Sequence, residues 1–205
     1  MEPIETPLVE YGTAKFILPG QKESGDQHLV CCGKSALLIA AIDGLGHGEE
    51  AANASRAAAA ILREGADEPI LSLVQTCHEK LRASRGVVLS LASFDSVHGM
   101  MTWLGIGNVQ GVLMRAGPNG GTVQEVLLLR GGVVGGQLPP LQAAVLPVAR
   151  GDSLIFATDG VRSEFVESLS RLESPQRTAD RILQRYQSGA DDALVLVARL
   201  TGIRS

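Results

Sequence analysis

Asp26, Asp43, Asp159, Asp191 and Asp192 all stand at the ends of apolar runs. Asp43 closes "ALLIAAID" and opens the glycine-studded "DGLGHG", and Asp159 closes "SLIFATD". Asp26 precedes "HLVCC", and the pair Asp191–Asp192 precedes "ALVLVARL". Carboxylates brought close together repel and raise one another's pKa unless a positive charge sits among them. These motifs offer no Lys or Arg matched to the acids, so a divalent metal is the economical partner. An all-oxygen donor set suits Mg²⁺ or Mn²⁺, whereas zinc would want Cys or His. Gly44 leaves the backbone bare beside Asp43, so that its carbonyl can join a metal shell. Two such ions about 4 Å apart can share a water, lower its pKa and aim it at phosphorus. One Asp-Gly pair alone is ordinary turn chemistry; the recurrence of acids at apolar termini is what points to a site.

The elements that must position these acids are legible as runs and breaks. "HLVCC" (28–32) and "ALLIAAI" (36–42) flank the turn "CGKS", so a hairpin would bring Asp26 and Asp43 side by side at its open end. "SLIFAT" (153–158) and "ALVLVARL" (193–200), paired antiparallel, would bring Asp159 to the Asp191–Asp192 pair. Further strand-like runs cover 86–94, 100–107, 109–115 and 122–129. Residues 115–125 ("RAGPNGGTVQE") form a long hairpin turn, and "GGVVGGQLPP" (131–140) is a second glycine- and proline-rich loop. Helical pattern covers "EEAANASRAAAAILREG", ending at Gly65, and "DEPILSLVQTCHEKLRAS". It covers "SPQRTADRILQRYQSG" as well, with Ser174 as N-cap, Pro175 in the first turn and Gly189 as C-cap. Strands outnumber helices and mostly follow one another directly. The expected class is α+β, antiparallel sheets with helices on the outer faces, in one domain over residues 1–205.

With these residues in place, the sequence resembles the metal-dependent type 2C (PPM) serine/threonine phosphatases. It is most similar to their short bacterial branch in stress and sporulation signalling. "SGDQ", "AIDGLGHG", "MMTWLGIGNVQGVLMR", "VARGDSLIFATDGV" and "GADDALVLVARL" occur in the family's order and cover nearly everything from Gly25 onward. The resemblance implies an αββα sandwich with two Mn²⁺ or Mg²⁺ ions at one edge of the central sheets. By position, Asp43 would bridge both ions and the Gly44 carbonyl would bind one. Asp159 and Asp191 would complete one ion's shell, and Asp26 would belong to the same acidic cluster. Asp191 is preferred to Asp192 because the first acid of the family's paired motif is the ligand. Metal-bound hydroxide would attack a phosphoserine or phosphothreonine in line, with no covalent phospho-enzyme. The substrates implied are phosphorylated STAS-domain scaffold proteins of the stressosome. The sequence departs from larger members in having Leu45 where they place a His directly after Asp-Gly. His47, two residues on, is the remaining general-acid candidate, and neither Glu10 nor Glu23 carries the larger members' N-terminal Glu motif.

Composition narrows the alternatives. With 205 residues, a net charge of −4 and 45% hydrophobic residues, the chain has material for a large aliphatic core. It lacks the basic footprint of a nucleic-acid partner. No segment reads as a signal peptide or a membrane span, and an odd count of 3 Cys suits no disulfide framework. Cys31, Cys32 and Cys77 are therefore expected to be buried thiols of a cytoplasmic protein. "CGKS" lacks the first glycine of a P-loop, and Cys77 sits in a helix interior rather than a thiolate loop. Trp103 is expected to be core packing, and His28 a packed histidine. The rival class is a pseudo-phosphatase that binds partners without turnover; it predicts lost acids, and every expected Asp is present.

Overall fold

The apolar runs are too continuous for strands with one wet face; residues on both sides of each run have to be buried. The computed structural model describes residues 8–34, 36–117, 122–169 and 173–202. Its first half runs β1 (Val9–Phe16), β2 (Asp26–Cys32), β3 (Ala36–Gly44), α1 (Glu49–Glu64), α2 (Ile70–Lys80) and β4 (Val87–Asp95). The chain continues through β5 (Met100–Ile106), β6 (Gln110–Ala116), β7 (Thr122–Val126), β8 (Leu129–Arg130) and β9 (Ala144–Pro147). It ends with β10 (Ser153–Ala157), a 3-10 helix (Ser163–Ser168), α3 (Pro175–Tyr186) and β11 (Ala193–Leu200).

The strands form two sheets, one ordered β1-β11-β10-β6-β7 and the other β2-β3-β4-β5-β8 with β9 also on β5. Every pairing is antiparallel except that of β5 with β8. Strand alternation sorts β3 between two cores. Leu38, Ala40 and Ile42 pack with α1 and α2, while Leu37, Ile39 and Ala41 meet Leu154, Phe156, Leu194 and Leu196 of the other sheet. The far face of that sheet, with Ile155, Val195 and Val197, is covered by Phe165 and by Ala179 and Ile182 of α3. The result is the expected αββα layering. Among the described residues no helix is long and apolar enough to cross a membrane.

Helix α1 buries Ala51, Ala54, Ala58 and Leu62, and the alanines let it lie close on the sheet. It carries Glu49 and Glu50 in its first turn and Arg63 in its last, as its dipole favours. Helix α3 has Ser174 as N-cap, its side chain accepting from the Arg177 N–H, with Pro175 opening the helix.

Several expectations need correcting. β1 and β9 carry little strand signal: β1 turns Gly12 and Ala14 inward where α3 sits, and a Cβ at Gly12 would lie 2.3 Å from the Gln176 backbone. The run 122–129 is not one strand. It leaves the first sheet at Val126 and re-enters the other at Leu129. Helix α3 ends at Tyr186 with Gln187 as C-cap, before Gly189, because Gln187 bridges to Val161. Cys77 is buried, but Cys31 is half-buried and Cys32 exposed, since both lie on the edge strand β2 near its turn. The tip of the 115–125 turn and Ser35 lie outside the described residues. Loop 131–140 is partly core, with Val134 buried and bridged to Val87.

Candidate metal centre

In the β2–β3 ladder Asp26 is the direct partner of Asp43, as the equal distances from the turn predict. Directly opposed residues of an antiparallel pair share a face. Asp43 follows Leu37, Ile39 and Ala41 in alternation, so both acids face the space between the sheets at its open end. Asp26 is only 2% exposed, and Asp43 is half-buried.

The second pair arrives from the other sheet. Ala157 pairs with Val195, so the chain leaving β10 and the chain entering β11 meet at the same end. Thr158 fastens them: its N–H donates to the Leu194 carbonyl at 3.1 Å, and its Oγ1 accepts from the Leu194 N–H at 2.8 Å. The same hydroxyl donates to Asp26 Oδ2 at 2.7 Å, crossing from one sheet to the other. Asn108, in the turn between β5 and β6, donates from Nδ2 to Asp159 Oδ2 at 2.7 Å.

Asp191 and Asp192 divide their roles. Asp192 is buried, and its carboxylate accepts the backbone N–H of Leu18 at 2.8 Å and of Gly25 at 2.7 Å. It ties the β1–β2 connection to the start of β11. Asp191 is less buried and, among the described residues, accepts only the adjacent Asp192 N–H, at 2.8 Å.

The acids feel one another. Burial, then Asp26, Asp159, Asp191 and Asp192, push the Asp43 carboxyl up to about 8. Burial pushes Asp26 up to about 7, opposed by its Thr158 hydrogen bond and assisted by Asp192 and Asp159. Asp159 is raised by burial and by Asp191, against the Asn108 hydrogen bond. One cation reaches the cluster unforeseen: Lys15 of β1 donates from Nζ to the Asp26 carbonyl at 3.2 Å. Burial nevertheless lowers its pKa, despite Asp26 and Asp192.

Such a cluster would gain from a divalent cation, and its donors are the oxygens that Mg²⁺ and Mn²⁺ favour. Among the described residues no three His, Cys, Asp or Glu side chains are grouped around one ion position. Thr158 engages one oxygen of Asp26, and Asn108 engages Oδ2 of Asp159, whose carboxylate also meets the backbone N–H groups of Asp159 and Gly160. A hard cation that keeps several waters and takes one or two carboxylates fits this donor set.

Gly44 has a further reason to be glycine beside the one read in the sequence. It is buried, and a Cβ there would stand 2.1 Å from the Ala51 carbonyl oxygen, so α1 needs its absence. His47 is exposed on the loop after β3, its Nδ1 3.2 Å from Gln21 Nε2. Glu23 is ion-paired with Arg56, and Glu10 lies opposite Arg199 in the β1–β11 ladder. His28 is half-buried beside Tyr11, ring centroids 6.4 Å apart, and its Nδ1 has no partner among the described residues. Burial lowers its pKa to about 4. Cys77 is core, with burial pushing its thiol up to about 12, and Trp103 is 3% exposed.

Thr158, Asn108 and Lys15 escape a sequence reading. Thr158 carries the one available signal, its place just before Asp159; Asn108 reads as a turn residue, and Lys15 lies on the unforeseen strand.

Comparisons with known proteins agree with this architecture. The chain is 22% identical over 183 residues to the phosphoserine phosphatase RsbX of Bacillus subtilis (strain 168), covering 89% of this chain and 90% of that protein. The crystal structure of RsbX in complex with magnesium superposes with a TM-score of 0.85 at 20% identity, over 98% of this chain and 99% of that one. A chain from work on the bacterial stressosome, a modular system adapted to control secondary messenger signalling, matches with a TM-score of 0.82. It is 27% identical and covers 93% of this chain and 99% of that one. The fold is that of the PPM phosphatases. A family model matches residues 33–201, and the chain belongs to the family described as Stage II sporulation protein E (SpoIIE).

Proposed function

We propose that the chain is a metal-dependent phosphatase that hydrolyses phosphoserine or phosphothreonine in a protein substrate. The observation that carries this reading is the convergence of acids from both sheets: Asp26 stands opposite Asp43 in the β2–β3 ladder, and Thr158, next to Asp159, donates to Asp26 across the sheets. We assign Asp43 to the position between two ions, the Gly44 carbonyl to one of them, and Asp159 and Asp191 to one ion's shell. Asp26 completes the acidic cluster. When bound, Mg²⁺ or Mn²⁺ would supply an activated water and neutralise charge on the phosphoryl oxygens.

The chain's own residues do the positioning. Thr158 holds Asp26 by one oxygen and joins the two sheets beneath the site. Asn108 orients Asp159. Asp192 holds the Gly25 backbone that leads into Asp26. His47 is the general-acid candidate, on the loop that continues from Asp43 and Gly44. Residues 1–205 act as one catalytic domain on this reading, supported by the core shared between the two sheets.

The likeness to RsbX and to the stressosome chain supports a substrate class: phosphorylated STAS-domain proteins of the stressosome, met in the cytoplasm. The test is phosphate release from a phosphoserine protein with Mn²⁺ or Mg²⁺, then with EDTA. Metal-dependent release that Asp43→Asn abolishes, with an unchanged circular dichroism spectrum, is the expected result. Release undiminished in EDTA, or by Asp43→Asn, refutes the site assignment. No release with either metal from several phosphoproteins replaces this reading with the partner-binding pseudo-phosphatase.

A further inference from the structure

An acidic site must still attract a phosphate dianion, so the cations at its mouth decide whether the substrate can approach. Lys15 is committed inward, to the Asp26 carbonyl. Arg85 is placed differently. It lies in the connection between α2 and β4, where the Leu45 N–H donates to the Gly86 carbonyl at 3.1 Å and pins the loop after Asp43 to this segment. The segment is itself braced, with Ser84 Oγ donating to the Leu81 carbonyl at 2.7 Å and accepting the Gly86 N–H at 3.1 Å.

The Arg85 guanidinium lies over Gly46, where a Cβ would stand 2.7 Å from Nη1. Its Nε donates to Glu50 at the start of α1, which fixes the plane of the fork. Among the described residues its terminal nitrogens have no hydrogen-bond acceptor, and the side chain is 49% exposed. Arg85 also walls an open groove of about 510 Å³ whose alanine floor, Ala54 and Ala57, runs along α1 between Asn53 and Ser84. A planar guanidinium held through Nε, with its terminal nitrogens available, is suited to two parallel hydrogen bonds with phosphate oxygens. Holding it in advance reduces the entropy lost on binding.

We propose that Arg85 binds the phosphate of the incoming phosphoserine or phosphothreonine, with the flanking substrate backbone entering the groove along α1. This rests on the phosphatase reading above. The test compares parent, Arg85→Ala and Arg85→Lys on a phosphoserine peptide with Mn²⁺, together with inhibition by inorganic phosphate. A charge-assisted hydrogen bond of ordinary strength predicts that Arg85→Ala raises KM about 10- to 100-fold. Inhibition by inorganic phosphate should weaken by a similar factor, kcat should stay within about twofold, and Arg85→Lys should recover part of the loss. The melting temperature should not move beyond that of other surface variants. An unchanged KM in Arg85→Ala overturns the proposal, and so does a raised KM with unchanged phosphate inhibition, which would mean contact with peptide rather than phosphate. A parent protein without metal-dependent turnover overturns the phosphatase reading, and this proposal with it.

Discussion

Replacing Asp192 with alanine removes the acceptor of two backbone N–H groups, from Leu18 at 2.8 Å and Gly25 at 2.7 Å. A buried donor left without a partner costs about 1–3 kcal/mol. The Gly25 N–H lies in buried surroundings and bears that cost in full, while the half-buried Leu18 N–H can recruit water. Their sum is about 2–4 kcal/mol. Removing the charge also relieves repulsion on Asp26 and Asp43, worth about 1 kcal/mol at the dielectric of a partly wet site. The net loss is about 2 kcal/mol, which for a chain of this size lowers the melting temperature by about 4–8 °C. Asp192→Asn keeps one carbonyl acceptor and should lose about half as much. Asp191→Asn keeps an acceptor for its single bond to the Asp192 N–H and should melt within about 1 °C of the parent. Its metal-supported turnover should nevertheless fall. The assay is a thermal melt in EDTA beside phosphate release with Mn²⁺. If Asp192→Ala melts with the parent, or Asp191→Asn is the less stable of the two, the division between these neighbours is wrong.

Two further outcomes test the same architecture. Folding raises the Asp43 carboxyl to about 8 and Asp26 to about 7 from an ordinary value of 3.8, so the folded state retains protons that the unfolded chain releases. That contribution is fully present below the unfolded value and is lost as pH rises through the folded one. His28 acts oppositely, but only between its lowered value of about 4 and its ordinary 6.5. The melting temperature of the metal-free protein should therefore fall between about pH 7 and pH 8, and saturating Mn²⁺ or Mg²⁺ should flatten that slope. A melting temperature that rises across the interval without metal refutes the clustering. Gly44→Ala places a Cβ 2.1 Å from the Ala51 carbonyl oxygen and should cost about 1–3 kcal/mol by pushing α1 from the sheet. Gly131→Ala meets nothing within 4 Å and serves as the control; equal melting temperatures for the two would show that α1 does not depend on Gly44.

Where a signal was local, the chain carried it. The long aliphatic runs became buried strands, the glycine and proline breaks became turns, and the Ser174 cap opened α3 where expected. The signal failed where tertiary packing replaced local preference. β1 is a strand because α3 and β11 cover it, although its glycine and alanine suit neither a strand nor a helix strongly. The run 122–129 has uniform strand propensity, yet it divides at Leu127, whose N–H turns to the Gly111 carbonyl at 2.8 Å. The two strand segments then serve different sheets, which no local window can contain.

The same line separates the two halves of the site. Asp26 and Asp43 stand opposite one another because a hairpin has one register and a side-chain period of two, and both can be counted along the chain. The sequence also determined that Asp159 and the Asp191–Asp192 pair would meet at the ends of an antiparallel pair. Only the stacking of the sheets decided that these groups share one space, since that depends on the core formed by Ile39, Phe156 and Leu196 rather than on any neighbour in sequence. Stacking likewise set Thr158 against Asp26, turned Asp192 to the Gly25 backbone while Asp191 holds its neighbour's N–H, and brought Lys15 beside them. A carboxylate's role is set by which donors and charges reach it, and for Asp26 and Asp192 those include residues more than a hundred positions away.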